Sequence, residues 1–95
     1  MNRIELLKKL IRDQPSEPFN KYALALEYKK MGSQVQALDL FAELAGESPD
    51  YIATYFHYGS LLEELDRGEK ALEVYRKGIE KATQKGDQHA VGELK

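Results

Sequence analysis

Few side chains in this 95-residue chain are of a type that performs chemistry. There is no cysteine, which excludes a disulfide framework and any thiolate zinc site. The two histidines are His57 and His89. Only His89 has a second metal-ligating residue at helical spacing, Glu93 four positions on. Two ligands fall short of the three or four a site requires. His57 sits in a run of aromatics and reads as a structural side chain. An acyl- or group-transfer centre needs a nucleophile, a base and a group that orients them. The paired carboxylates Glu63 and Glu64 do not supply this, because adjacent helix residues do not face each other. They read as a solvated edge. The seven glycines are scattered and form no phosphate-cradling loop. The expectation is a chain with no catalytic residues, no metal and no cofactor.

Charge narrows the choice of partners. Basic residues gather at Lys8, Lys9, Arg12, Lys29 and Lys30, and again at Arg76, Lys77, Lys81 and Lys85. Glu73 and Glu80 interleave the second set, the pattern of an exposed helix face. A formal net charge of −2 gives no pull toward nucleic acid or anionic lipid. At 42% hydrophobic and 32% charged, the chain is too apolar for disorder. Glu5, Lys8 and Lys9 interrupt the N-terminal apolar run. It therefore lacks the core of about 7–15 residues that a secretory signal needs, and the roughly 20 of a spanning helix. The expected setting is cytoplasmic, with no nucleic acid and no membrane among the partners. One small domain is expected, burying only roughly 60–65% of its unfolded surface.

The elements that position these residues repeat. Residues 18–50 align with 52–84 at a shift of 34. Leu24 falls on Tyr58, Ala25 on Gly59 and Tyr28 on Leu62. Ala37 falls on Ala71, Leu38 on Leu72 and Phe41 on Tyr75. The same shift backwards places Ile4 under Leu38, Leu7 under Phe41 and Pro15 under Pro49. Apolar residues recur at three and four, as in Ile4, Leu7, Leu10, Ile11 and in Leu24, Tyr28, Met31. Pro15 stops the first helix, Ser16 is placed to cap the second, and Gly32 to close it. Ser33–Gln36 and Asp66–Glu69 read as capping boxes, the second one residue earlier than the shift requires. Pro49–Asp50 repeats the stop-and-cap signal, and Gly86–Asp87 reads as a last stop and restart. The spacing predicts six helices at 2–13, 18–31, 34–46, 51–65, 68–84 and 88–95, with short connections that force antiparallel neighbours. The units are a half repeat at 1–15, repeats at 16–49 and 50–84, and the start of a capping helix at 85–95.

This pattern resembles the tetratricopeptide repeat, a 34-residue helix–turn–helix unit. The first copy carries Leu24-Ala25, Tyr28, Ala37, Phe41 and Pro49. The second carries Tyr55, Tyr58-Gly59, Leu62, Ala71 and Tyr75. Lys21 stands where the family prefers an aromatic. Thr83 replaces the second proline, so the fifth helix is expected to overrun its usual end. The resemblance covers nearly the whole chain. It implies an all-α fold, with antiparallel helix–turn–helix repeats stacked as a short right-handed α-solenoid. It also implies a protein-interaction scaffold.

In this family the first helix of each repeat lines a concave groove. Carried over, that gives Phe19, Tyr22, Leu26 and Lys29 on the second helix, and Ala53, Phe56, Ser60 and Glu63 on the fourth. Each set follows a three-four-three spacing and shares one face. Phe19, Tyr22 and Phe56 are candidate anchors, since aromatics dominate binding hot spots. Lys29 and Glu63 are candidates for setting the register of a bound segment. Alternatively, the terminal helices cover these aromatics, or the aromatics join the core. The Lys and Asn clamp with which one subfamily grips a C-terminal carboxylate is absent, so no preference for an acidic C-terminus is implied. Two functions remain. One is capture of a partner's peptide or helix in the groove. The other is a structural role, as a homo-oligomer or as a spacer in a larger assembly.

Overall fold

The breakers read in the sequence do set the helix boundaries. The computed structural model describes residues 2–94, the side chains of residues 88 and 90 excepted. Its elements are α1 (Arg3–Asp13), α2 (Pro18–Lys30), α3 (Gln34–Glu47), α4 (Ala53–Glu64), α5 (Gly68–Lys85) and α6 (Gln88–Leu94). The outermost expected positions, Met1 and Lys95, lie outside the described residues. No strand occurs among the described residues, and no helix is long and apolar enough to cross a membrane.

Two kinds of connection alternate along the stack. Between units the chain makes a proline turn. Glu17 N–H donates to Gln14 O at 3.1 Å around Pro15, and Tyr51 N–H to Ser48 O at 3.0 Å around Pro49. Proline is suited to the second position of such a turn, because its ring presets φ. Within units the helix ends in a left-handed residue. Gly32 has φ 82° and Asp66 has φ 64°, 34 positions apart. Each turn is closed by two backbone bonds, Gly32 N–H to Lys29 O with Ser33 N–H to Tyr28 O, and Asp66 N–H to Glu63 O with Arg67 N–H to Leu62 O. This pairing is the Schellman closure.

Four capping expectations are corrected. Asp66 does not begin a capping box. It is the counterpart of Gly32 and terminates α4, which is why it stood one residue early. Arg67 is the N-cap of α5, with no side-chain cap bond. Ser33 is the N-cap of α3 but makes no side-chain cap bond, because its ψ of 67° lies outside the extended region a capping side chain needs. Ser16 is displaced by Glu17, whose carboxylate accepts from Phe19 N–H at 3.2 Å. Pro18 holds the preceding residue extended, so Glu17 becomes the last non-helical position. Asp50 caps nothing either, because the Ser48–Tyr51 turn delays α4 to Ala53.

A non-glycine residue in the left-handed region costs roughly 1–2 kcal/mol, less for aspartate. Asp66→Gly is therefore expected to stabilise the fold by about 0.5–1 kcal/mol, read as a higher urea midpoint. A lower midpoint would mean that the Asp66 side chain contributes more than its backbone strain costs.

Three apolar clusters run through the stack. The first holds Leu7, Ala23 and Leu24. The second holds Ala25, Ala37, Phe41, Leu44 and Leu61. The third holds Tyr55, Leu62, Ala71, Val74 and Leu94. Tyr28 and Leu40 join the first to the second, and Leu38 and Tyr58 join the second to the third. Small residues sit where paired helices cross, as the repeat pattern requires. Ala25 and Ala37 are fully buried, and a Cβ on Gly59 would run into the Tyr75 ring. Gly78 is a second close approach that the pattern did not flag. A Cβ there would lie 2.6 Å from Tyr55 Cβ.

The fifth helix overruns, as Thr83 implied. α3 ends at Glu47, so the shift of 34 puts the matching end at Lys81, yet α5 continues to Lys85. It closes on Gly86 with φ 73°, the within-unit type of turn, and α6 folds back from there. The extra turn is used. Lys85 Nζ donates to Asp50 O at 3.1 Å, and Lys81 Nζ lies 3.9 Å from the Asp50 carboxylate.

Candidate concave binding face

The stripe on α2 faces α4, and the stripe on α4 faces α6. Phe19 and Tyr22 touch, with ring centroids 6.3 Å apart. Tyr22 meets His57 edge-on at 5.6 Å, and His57 meets Phe56 edge-on at 5.3 Å. The rings thus form a continuous path, Phe19–Tyr22–His57–Phe56, across two repeats. Tyr51, from the proline turn before α4, buttresses Tyr22 at 5.5 Å. Neither His57 nor Tyr51 was assigned to the face from sequence. The density of rings between Tyr51 and Tyr58 was the available signal.

Exposure separates the ends of this path from its middle. Phe19 is 51% exposed and Phe56 is 41% exposed. Tyr22 and Leu26 are half-buried and lie against the central cluster. The inner residues join the core, while the outer two keep open faces. α6 approaches Phe56 without closing over it, leaving a cavity of about 200 Å³ lined by Ile52, Phe56, Asp87, Glu93 and Leu94 among others.

The polar members of the two stripes are not brought to one another. Lys29 Nζ turns to Glu64, at 4.0 Å. Glu63 accepts a hydrogen bond from the Tyr75 hydroxyl. Burial, aided by that hydrogen bond and the carboxylate charge, pushes the Tyr75 hydroxyl up to about 12. Ser60 is half-buried on α4, one turn before Glu63. Glu63 and Glu64 are both exposed, as a solvated edge requires, and turn to different neighbours.

Burial depresses His57 below the usual histidine range, and the nearby Lys29 ammonium adds to this. The shift favours the uncharged imidazole, which serves as one more ring in the path. Burial raises the hydroxyls of Tyr22 and Tyr51. His89 and Glu93 pair at 2.7 Å. Among the described residues, no three His, Cys, Asp or Glu side chains converge to hold a metal ion.

The fold has solved relatives. A crystal structure of a tetratricopeptide repeat domain protein from Salinibacter ruber is 46% identical, covers 82% of this chain and 87% of its own, and superposes with a TM-score of 0.78. A solution NMR structure of a tetratricopeptide repeat domain protein from the same organism is also 46% identical. It covers 84% of this chain and 81% of its own, at a TM-score of 0.81. MamA is 24% identical over 90% of this chain and 46% of its own, at 0.77, a likeness of fold. No protein-family model and no curated protein matches the chain. With two helix–turn–helix hairpins offset by 34 positions, their small-residue crossings and a relative nearly half identical over most of both chains, this chain belongs to the tetratricopeptide-repeat family.

Proposed function

We propose that the chain is a protein-interaction module without catalytic activity, and that it binds a segment of a partner protein along the α2–α4 face. The observation that carries this reading is the aromatic path with its two open ends, Phe19 and Phe56. Clustered apolar surface of this kind marks interaction sites. Rings held by their neighbours also lose little entropy on binding. Tyr22 is the central anchor, Phe19 and Phe56 flank it, and Leu26 forms the floor. Lys29, Ser60 and Glu63 border the path.

The test uses peptides selected from a random display library on the wild-type protein. Their chemical-shift footprint is expected on Phe19, Tyr22 and Phe56. Tyr22→Glu, which places a charge in the middle of the path, is expected to weaken them at least about tenfold. Circular dichroism checks that the variant stays folded. A footprint on α1, α3 or α5, or an unchanged affinity, would sink the reading.

One observation favours self-association as a second reading. Leu38 packs between the second and third clusters, whereas its repeat counterpart Leu72 is 54% exposed. Sedimentation equilibrium of wild type beside Tyr22→Glu separates the two. A monomer leaves the face free for a foreign segment. A dimer dissolved by the substitution makes the aromatic face the self-interface, and a dimer that survives it points to the Leu72 end.

A further inference from the structure

The charge around the α4–α6 half of the face is one-sided. Two cavities flank α6. One, of about 200 Å³, is walled by Ile52, Phe56 and Leu94, with Asp87, His89 and Glu93 in its lining. The other, of about 410 Å³, is walled by Leu72, Tyr75 and Leu94, with Glu63 and Glu93 in its lining. Among the described residues neither lining contains a lysine or an arginine, and the basic side chain present, His89 in the first, pairs with Glu93 at 2.7 Å. The cavities on other parts of the surface mix both signs, with Lys70, Glu73 and Lys77 around one and Lys21 and Glu47 around another. At the α2 end of the face Glu17 adds a carboxylate whose described bond is to a backbone N–H. The nearest lysine on the stripe, Lys29, faces Glu64. Glu63 receives only a neutral hydroxyl, which leaves its charge in place.

Apolar walls with carboxylates at the rim fit one kind of side chain. The methylene stem of an arginine or lysine lies along aliphatic and aromatic surface while its head stays with the charge. The faces of Phe56 and Tyr75 add an attraction for a guanidinium. Building on the interaction-module reading above, we propose that the partner segment is a basic amphipathic helix, its apolar residues on the aromatic path and its arginines or lysines in the two cavities beside α6.

Three fluorescent amphipathic peptides of roughly four helical turns test this. They share leucines at i, i+3, i+4 and i+7, and carry arginine, glutamine or glutamate at the polar positions. Anisotropy titration at low salt is expected to rank them arginine, glutamine, glutamate. The first step should be at least about tenfold, and the gap should close as salt rises. Glu63→Gln keeps an acceptor for the Tyr75 hydroxyl but removes the charge. It is expected to weaken the arginine peptide by about three- to fivefold and the glutamine peptide by less, so that the gap between them narrows. Equal affinities, or a preference for the glutamate peptide, overturn the basic partner while leaving the face a binding site. Failure of the arginine peptide to bind also overturns it. The wider reading then rests on the selected peptides and Tyr22→Glu.

Discussion

Phe41→Ala is expected to destabilise the protein by about 3–5 kcal/mol. Phe41 is fully buried at the centre of the middle cluster, stacked on Tyr58 with centroids 6.2 Å apart and planes 20° apart. It fills the joint between α2, α3 and α4, where it packs with Ala25, Leu44 and Leu61. A domain of this size has a total stability of about 5–15 kcal/mol, so this one ring accounts for a large share. Urea denaturation followed by circular dichroism gives the number. Phe56→Ala supplies the contrast, because its ring is 41% exposed. That change should cost less than about 1 kcal/mol in stability, while losing affinity for a partner. If the two variants unfolded at similar midpoints, the division between a packing phenylalanine and a binding one would fail.

Gly78→Ala is expected to cost about 1–3 kcal/mol, although alanine is the better helix former by about 1 kcal/mol. The added carbon would meet Tyr55 Cβ at 2.6 Å and Leu94 Cδ1 at 2.9 Å. Leu94 is at the far end of a side chain and can give. Tyr55 cannot, because Cβ is fixed to the α4 backbone and the hydroxyl is tied to Pro49 O at 2.6 Å. Relief therefore requires α4 and α5 to separate. Gly46 provides the opposite case in the same kind of helix. A Cβ there meets nothing within 4 Å, so Gly46→Ala should stabilise by about 0.5–1 kcal/mol. Opposite signs for one substitution at two helical glycines is the expected outcome, measured by the shift in denaturation midpoint.

These positions also show what the sequence could and could not convey. The six helices were legible because size and spacing recur together. Ala25 with Gly59 and Ala37 with Ala71 repeat a small residue at a fixed distance from large ones, and only a crossing of paired helices explains that. The overrun of α5 was legible from Thr83, since a missing proline removes a stop. Gly78 was not, because the residues that demand it, Tyr55 and Leu94, lie on other helices. The capping signals misled for a related reason. Ser33, Asp66 and Asp50 are residue types that cap helices and also types that make turns, and the Schellman closure of α4 decided for Asp66. On the candidate face, the stripes followed from helical period alone. The pairing of Lys29 with Glu64 and the bridging role of His57 depend on how α2 and α4 are set side by side, which no single-helix pattern contains.

The alternation of connections has a mechanical meaning. The hairpins α2–α3 and α4–α5 are plates, each locked by two backbone bonds around a left-handed residue. Between the plates stands the proline turn at Ser48–Tyr51. The turn is braced from one side by Lys85 and Tyr55, which hold the carbonyls of Asp50 and Pro49. From the other side Tyr51 reaches into the aromatic path against Tyr22. The turn therefore links the aromatic path, through Tyr51, to α5, through Lys85.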